Sequence, residues 1–280
     1  MSGTLYIVAT PIGNFGDITE RALTVLRNVA IVAVEDTRHS RILFQQFAID
    51  TPMLAYHDFN EDQQVERLLA RVDSGEDIAL ISDAGTPLVS DPGYHLVRQA
   101  HKQGLKVVPI PGPSAVIAAL CCAGLASDRF TFEGFLPARS ASRLATLQAL
   151  QSESRTMIFY EAPHRIMECL IDLQKCFGDE REITMARELT KTFETILFGT
   201  ILQLLERVKS DANQQKGEIV LVLAGCQAKR QEVDESSIHT LKILLNELPL
   251  KQACALAAQI TGQKKNILYA MALELKQQPV

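Results

Sequence analysis

Long apolar runs are missing from this sequence of 280 residues. No stretch approaches the roughly 18 consecutive apolar residues of a membrane-spanning helix, so we expect no membrane partner. The opening residues, MSGTLYIVAT, also lack the basic segment, the apolar segment and the cleavage site of a secretory signal peptide. Hydrophobic residues make up 47% of the chain and charged residues 22%, as in ordinary globular proteins. These features predict a cytoplasmic protein.

The sequence has little that would hold a metal ion. None of its six cysteines belongs to a C-x-x-C pair, which argues against a zinc site, and no metal is predicted. In a reducing cytoplasm the cysteines are not expected to form disulfides. We therefore expect core thiols, including Cys121 and Cys122 in the apolar segment SAVIAALCCAGL.

Three common ligand and catalytic motifs are absent as well. After the first apolar run the chain reads PIGNFG, residues 11–16, which is not the G-x-G-x-x-G that places a pyrophosphate at a helix N-terminus. No G-x-x-x-x-G-K-[ST] loop occurs, and no G-x-S-x-G motif supports hydrolase chemistry. A ligand of this protein is therefore not expected to be held mainly by its phosphates.

The first half of the chain does contain an alternation of short apolar runs and helical patterns. The runs are rich in Val and Ile, and the first helical pattern follows an Asp17-x-x-Glu20 capping sequence. The runs occupy residues 5–9, 30–34, 78–82 and 106–110. Strands that alternate with helices predict a mostly parallel sheet.

Loops rich in polar residues, glycine and proline follow these strands. They read TPIGNFGD, EDTRHS, SDAGTPLVSDPG and PGPS in chain order. In a parallel sheet the loops after the strands gather at one edge, where free backbone amides and helix N-termini favour ligand binding. We predict that these loops line one cleft. Within the third loop, Asp83 and Asp91 are interpreted as helix caps, Asp91 because it precedes a proline at a helix start.

The second half of the chain has a different pattern. Several β-type runs between residues 129 and 225 follow one another without a long helix between them, which favours a mixed sheet. Residues 248–275 show two helical segments with a break at Thr261-Gly262, which is typical of a helix-turn-helix. The predicted fold is α/β, with a parallel-sheet domain at 1–113, a mixed-sheet domain at 114–226 and a helical appendage at 234–280.

Charge is distributed unevenly along the chain. The net charge is -5, but residues 227–280 hold seven Lys or Arg and five Asp or Glu, a balance of +2, which leaves -7 for the remainder. A polyanionic partner should therefore meet the C-terminal segment first.

Eight segments occur in order between residues 4 and 225. They read LYIVATPIGNFGDIT, EDTRHS, ALISDAGTPLVSDPGY, PIPGPSA, FEGFLP, FYEAPHR, RELTKTFE and GEIVLVLAG. Together they resemble the tetrapyrrole methylase family, which implies S-adenosyl-L-methionine bound between two α/β domains, and a homodimer. EDTRHS and SDAGTPLVSDPG, with the helical tail, are similar to members that methylate the 2'-O of a decoding-region cytidine in 16S rRNA. That similarity implies 16S rRNA or the small ribosomal subunit as partner.

The resemblance also implies which residues contact the cofactor. From the first domain these are Pro11, Gly85, Thr86, Val89, Ser114 and Ala115, and from the second they are Tyr160, Leu189 and Ile219. The chemistry of the loops agrees, because glycine and proline turns expose the backbone amides and carbonyls that an adenine and a zwitterionic methionine end require.

Charged residues near the predicted cleft are candidates for catalysis. A sugar hydroxyl is a very weak acid, and a base that removes its proton typically gives about 10²- to 10⁴-fold acceleration. Glu35 and Asp36 are candidates for that base. Lys191 is a third, because desolvation beside the cofactor's cation would lower the lysine pKa. The sequence does not distinguish among the three.

Basic residues are candidates for RNA contacts. Arg38 is suited to hold an RNA phosphate, whereas the adjacent His39 is expected to have no role. FYEAPHR and RELTK form a second charged cluster that is either functional or a salt-bridged rim. The predicted RNA-binding residues are Arg38, Arg165, Lys251, Lys264 and Lys265.

Two other functions fit parts of the same sequence. The same fold and cofactor would serve methylation of a small tetrapyrrole, but such a substrate gives no reason for a basic tail. A ligand-sensing domain joined to a DNA-binding motif would leave the charged cleft residues without a use. The basic tail and the charged cleft together therefore favour an RNA-modifying enzyme.

Overall fold

The computed structural model describes residues 2–57, 61–226 and 235–277. These fall into two compact units, residues 1–225 and 226–280. The first unit contains two five-stranded sheets, and the second contains three helices.

The first sheet is parallel throughout, as the alternating pattern predicts. Its strand order is β3-β2-β4-β1-β5. The strands are Thr4–Val8 (β1), Ile31–Val34 (β2), Met53–Ala55 (β3), Ile78–Ile81 (β4) and Lys106–Ile110 (β5). Every residue of β2 and β4 is buried, because helices cover both faces of a parallel sheet.

The helices of this half follow the strands. They are Glu20–Asn28 (α1), Thr37–Gln46 (α2), Glu61–Asp73 (α3) and Tyr94–Lys102 (α4). The predicted cap of α1 was wrong: Thr19 caps the helix by accepting from Ala22 N, and Asp17 lies in a short 3-10 turn before it. Threonine fits the cap because its hydroxyl accepts from the backbone amide three residues later.

The second sheet is mixed, again as predicted. Its order is β6-β7-β10-β8-β9, in which only β6 and β7 run parallel. The strands are Phe130–Phe135 (β6), Thr156–Glu161 (β7), Glu182–Arg187 (β8), Thr195–Thr200 (β9) and Ile219–Leu223 (β10). The helices are Ala115–Cys122 (α5), Ser140–Ala149 (α6), Ile166–Phe177 (α7) and Ile201–Ser210 (α8).

The segment between the sheets carries α5, which packs against β10 of the second sheet. The expectation that Cys121 and Cys122 are core residues was wrong, because both are exposed at the end of α5. The sequence of α5 is apolar on every side, whereas only Val116, Ala119 and Leu120 are buried. Part of an apolar helix therefore remains uncovered within one chain.

A buried arginine fixes the segment that follows β6. The Arg143 guanidinium lies 2.8 Å from an Asp172 carboxylate oxygen and donates to the carbonyls of Pro137 and Ala138 at 3.4 and 3.2 Å. The charge is paired and the loop carbonyls are satisfied, as burial requires. This clamp holds the chain directly after Phe135, which lines the site described below.

The second unit is a three-helix cluster made of Glu235–Glu247 (α9), Leu250–Thr261 (α10) and Lys265–Gln277 (α11). Gly262 ends α10 in a left-handed conformation with φ 72°, which agrees with the predicted break at this position. Leu241, Cys254 and Leu268 lie in its core. Across the parts of the chain that the structure describes, no helix combines the length and apolar character needed to cross a bilayer.

Candidate active site

Loops of the first sheet are joined by backbone hydrogen bonds at its carboxyl edge. Thr10 N donates to Gly85 O at 2.8 Å and Gly85 N donates to Thr10 O at 3.1 Å. Gly85 has φ 83°, and a Cβ there would also lie 3.1 Å from the Ile12 side chain. The Thr86 hydroxyl donates to Pro113 O at 2.9 Å. The loops after β1, β4 and β5 therefore form one connected surface.

The loop after β2 joins the same surface. Asp36 N donates to the Asp83 carboxylate at 3.1 Å. Glu35 lies close enough to Asp91, in the loop after β4, to influence the pKa of that carboxyl. The structure thus brings together the four loops that the sequence places at this edge.

Four non-glycine residues of the site have left-handed backbone conformations. They are Leu88 (φ 71°), Ser90 (φ 68°), Glu188 (φ 51°) and Thr190 (φ 68°). One pair flanks Val89 in the loop after β4, and the other flanks Leu189 in the loop after β8. Val89 and Leu189 pack in one apolar cluster. Strained conformations of this kind are commonly concentrated at functional sites.

Two adjoining cavities lie beside these loops, and the lining of the first is mostly apolar. Its volume is about 370 Å³. The side chains that line it come from both halves of the unit and include Ile12, Ala115, Tyr160, Leu189, Ile219 and Val220. Burial raises the pKa of Tyr160 to about 12, so its phenol stays protonated. The Tyr160 ring also meets Phe135, another lining residue, edge to face at 5.4 Å.

The second cavity has a volume of about 430 Å³ and a more polar lining. It shares Ile12, Ala84 and Glu218 with the first cavity, so the two adjoin at these residues. Its other lining residues include Pro11, Phe15, His39, Ser40, Ser82, Asp83 and Lys191. His39, expected to have no role, therefore faces a cavity.

Asp91 is the principal residue that sequence reasoning missed. It does not cap α4, because that helix begins at Tyr94 with Gly93 as its N-cap and no side-chain cap. Asp91 instead lines the first cavity. Its pKa is raised to about 6, chiefly by burial and then by the charges of Glu35 and Asp83, against a hydrogen bond with Ser82. The repeated Ser-Asp dipeptide, at 82–83 and 90–91, was the available signal.

Some of the predicted cofactor residues line a cavity, and the others shape the loops around the cavities. Ala115, Tyr160, Leu189 and Ile219 line the first cavity, and Pro11 lines the second. Gly85 and Thr86 join loops through the hydrogen bonds given above, and Val89 packs in the apolar cluster beneath the first cavity. Ser114 is the N-cap residue of α5 and makes no side-chain capping bond. A cofactor contact from any of them remains a prediction.

Asp36 occupies a structural position. It caps α2 by accepting from Arg38 N at 2.8 Å, and it forms an ion pair with the Arg38 side chain at 2.7 Å. These bonds hold the pKa of Asp36 well below its usual range. A carboxylate so stabilised is a weak proton acceptor, so the geometry favours capping over base catalysis. Arg38 itself is 87% exposed.

The expected direction of the Lys191 pKa shift was wrong. Burial alone would lower the pKa of this amine, but bonds to Glu188 at 2.9 Å and Glu218 at 3.1 Å outweigh burial and raise it. Lys191 is therefore a charged residue at the edge of the second cavity and not a neutral base.

Arg165 is also not where an RNA-binding residue is expected. Its side chain is only 16% exposed and is paired with the buried Glu161, with its Nε 2.8 Å from that carboxylate. It also donates to Leu136 O at 3.2 Å. The structure gives Arg165 a buried ion pair, and an RNA contact from this residue stays a prediction.

The three lysines nominated in the second unit are exposed. Lys251 lies in the first turn of α10, Lys264 in the turn after Gly262, and Lys265 at the start of α11. Their positions leave them available to a polyanion.

Sequence comparison places this chain among known proteins. A profile described as Tetrapyrrole (Corrin/Porphyrin) Methylases matches residues 4–205, and a profile described as the RsmI C-terminal HTH domain matches residues 231–276. The chain belongs to the tetrapyrrole methylase family.

Individual relatives extend the comparison over nearly the whole chain. A protein of Pseudomonas aeruginosa named ribosomal RNA small subunit methyltransferase I is 58% identical over 275 residues, covering 98% of each chain. A protein of the same name from Escherichia coli O157:H7 is 53% identical and covers 97% of this chain and 95% of its own length. Uroporphyrin-III C-methyltransferase of Thermus thermophilus, solved with S-adenosylhomocysteine, has a TM-score of 0.55 at 17% identity, covering 79% of this chain and 97% of that one.

The raised pKa of Asp91 predicts a pH-dependent stability. The pKa of this carboxyl is 3.8 in the unfolded chain and about 6 in the folded protein. Between these two pH values the unfolded state loses the proton while the folded state keeps it, so the free energy of unfolding falls as pH rises. The loss of stability caused by burying the ionised Asp91 carboxylate is complete above about pH 6. Asp91→Asn should therefore raise the free energy of unfolding at pH 7.5 by on the order of 1 kcal/mol, allowing for partial exposure, and by less at pH 5. Urea denaturation at both pH values measures this, and an equal difference at both would contradict it.

Proposed function

We propose that this protein is an S-adenosylmethionine-dependent methyltransferase of small-subunit rRNA, and that it methylates the ribose 2'-oxygen of a decoding-region cytidine in the cytoplasm. The observation that carries the proposal is the 58% identity, over 98% of both chains, to a protein named ribosomal RNA small subunit methyltransferase I. The similarity spans the cavities and the basic tail alike. The substrate is 16S rRNA, free or within the small subunit.

The first cavity fits S-adenosylmethionine. Its apolar wall of Ile12, Leu189 and Ile219 suits an adenosine, and the Asp91 and Glu218 carboxylates suit a cation. When bound, the cofactor supplies a methyl group on a positively charged sulfur. The residues that would hold it are Ala115, Tyr160, Leu189 and Ile219, with Gly85, Thr86, Val89 and Ser114 shaping the loops around them.

Asp91 is the best placed proton acceptor for a ribose hydroxyl. With a pKa of about 6 it is mostly ionised at neutral pH, yet far more basic than Asp36. It lines the first cavity, and Ser82, which lies close enough to lower the pKa of Asp91 somewhat, lines the second. Glu35 acts beside it, because its negative charge keeps the Asp91 carboxylate basic. Lys191 is retained as a fixed positive charge near the acceptor.

The basic residues of the second unit bind the RNA backbone. Lys251 is exposed at the start of α10, and Lys264 and Lys265 are exposed at the junction of α10 and α11. Phosphates can neutralise these lysines without reorganising the helices. Arg38 contributes a further contact beside the second cavity, since α2 also carries His39 and Ser40.

The chain works as a homodimer through the uncovered side of α5 and the edge strand β9. Ile117 is 53% exposed and Phe198 48% exposed, and Cys121 and Cys122 are exposed between them in the chain. A Cβ on Gly124 would lie 3.9 Å from the Phe198 ring, so α5 ends beside β9. An apolar helix and a sheet edge left open together are typical of an interface.

The proposed reaction predicts transfer of labelled methyl from S-adenosylmethionine to 16S rRNA or small subunits that lack the modification. The modified linkage should resist alkaline hydrolysis, because the 2'-oxygen is blocked. Asp91→Asn should lower kcat by about 10²- to 10⁴-fold, because the proton acceptor is removed. Mass spectrometry locates the methyl group, and label on a base would refute the ribose assignment.

Asp36→Asn is the matched control, because asparagine caps a helix as well as aspartate does. Its kcat should stay within about tenfold of wild type, since the exposed pair with Arg38 contributes little. A larger loss in Asp36→Asn than in Asp91→Asn would reverse the assignment of the base.

The tail predicts a salt-dependent contribution to RNA binding. Replacing Lys251, Lys264 and Lys265 with glutamine should weaken binding to 16S rRNA and reduce the slope of log affinity against log salt by about two to three. The same change at the exposed Lys102, Lys106 and Lys209 of the first unit provides a control of equal charge. Filter binding at several salt concentrations measures both, and equal effects of the two triple variants would remove the tail from the interface.

The proposed dimer predicts that Phe198→Asp gives a monomer. A carboxylate on this apolar face would be desolvated in the dimer without a partner. Sedimentation equilibrium should report twice the chain mass for wild type and for Tyr94→Asp, which alters an exposed aromatic residue on α4. A monomeric wild type, or a dimeric Phe198→Asp, would show that this face does not mediate association.

A further inference from the structure

The second cavity contains a buried polar group that the protein itself does not satisfy. Ser40 lies within α2, is 3% exposed and lines this cavity. Its hydroxyl oxygen has no hydrogen-bond partner. A buried hydroxyl left unpaired is unfavourable, so this group is expected to meet a partner from outside the chain.

The remaining lining of the second cavity suits a nucleobase and its sugar. Phe15 is 41% exposed and meets Phe47 edge-on at 6.0 Å, which leaves ring surface for stacking. His39 and Asp83 add polar groups of the kind that read the hydrogen-bonding edge of a base. The volume of about 430 Å³ is in the range of small-molecule sites.

The position of the second cavity relative to the first fixes its role. The two cavities meet at Ile12, Ala84 and Glu218; Asp91 lines the first, and Ser82, whose hydroxyl donates to Ala84 O at 3.4 Å, lines the second. A ligand that fills the second cavity therefore contacts Ile12, Ala84 and Glu218, which also line the first cavity. An atom presented there would face both the first cavity and the Asp91 carboxylate.

We infer that the second cavity binds the acceptor as a single RNA nucleotide turned out of its stack, with its base between Phe15 and Ser40 and its ribose toward Ile12 and Ala84. This inference rests on the proposed function and names the site at which its substrate is held. Extrusion is needed because the neighbouring bases cover both faces of a stacked base, so that base enters an enclosed cavity only after leaving the stack.

Ser40→Leu tests the inference by filling the second cavity, and Ser40→Ala tests it by removing only the hydroxyl. With small subunits as acceptor, Ser40→Leu should lose at least 100-fold in kcat/KM, while calorimetry shows an affinity for S-adenosylmethionine within about twofold of wild type. Binding of its S-adenosylhomocysteine complex to subunits should weaken several-fold. Ser40→Ala should raise KM for subunits about tenfold with little change in kcat, because one hydrogen bond to the acceptor is lost.

Gln45→Leu is the matched control, because it places the same side chain on an exposed position of α2. It should behave as wild type in every assay. If Ser40→Leu transfers methyl as well as Gln45→Leu does, the second cavity does not hold the acceptor. If Ser40→Leu loses S-adenosylmethionine binding more than tenfold, the cavity belongs to the methyl donor and the inference fails while the proposed function stands. If wild type transfers no methyl to rRNA, the proposed function fails first and the inference falls with it.

Discussion

The backbone pair between Thr10 and Gly85 is the constraint on which the site depends. Its two hydrogen bonds join the loop after β1 to the loop after β4 across neighbouring strands. Gly85 adopts φ 83°, and any side chain there would press against Ile12. Because Ile12 lines both cavities, the wall between them is positioned by main-chain bonds and not by side-chain packing alone.

The charged groups of the site have different tasks because their neighbours differ. Asp36 is held ionised by Arg38, Lys191 is held protonated by Glu188 and Glu218, and these groups supply fixed charge. Burial and the charges of other carboxylates raise the pKa of Asp91, and no cation of the described residues is among the causes of this pKa shift. It is therefore the group whose protonation changes near neutral pH, as general base catalysis requires.

The sequence predicted well what depends on local periodicity. Both sheets and the convergence of the four loops follow from alternating apolar runs and from the geometry of parallel strands. The strand Met53–Ala55 was missed because three partly buried residues carry no readable period. The cap of α1 was misplaced because Asp17 and Thr19 are both capping residue types, and only the backbone angles, extended at Thr19, decide between them.

The sequence predicted the site less completely, because its chemistry depends on distant partners. Lys191 is paired with Glu218, which no local pattern connects to it, so burial alone gave the wrong direction for its pKa. Asp91 was read as a cap because Pro92 follows it, whereas the loop continues to Gly93 before α4 begins. Four of the nine nominated cofactor residues line the first cavity, and they came from family resemblance and not from spacing.

The left-handed residues around Val89 and Leu189 have a consequence for engineering. Glycine at Ser90 or Thr190 would relieve backbone strain of order 1 kcal/mol or more at each position, whereas at Leu88 it would remove apolar packing and at Glu188 the partner of Lys191. The same replacement would widen the conformational range of the loops that shape the first cavity. A laboratory search for heat-resistant variants would therefore find gains easily at Ser90 and Thr190, and the enzymes it selected would be slower.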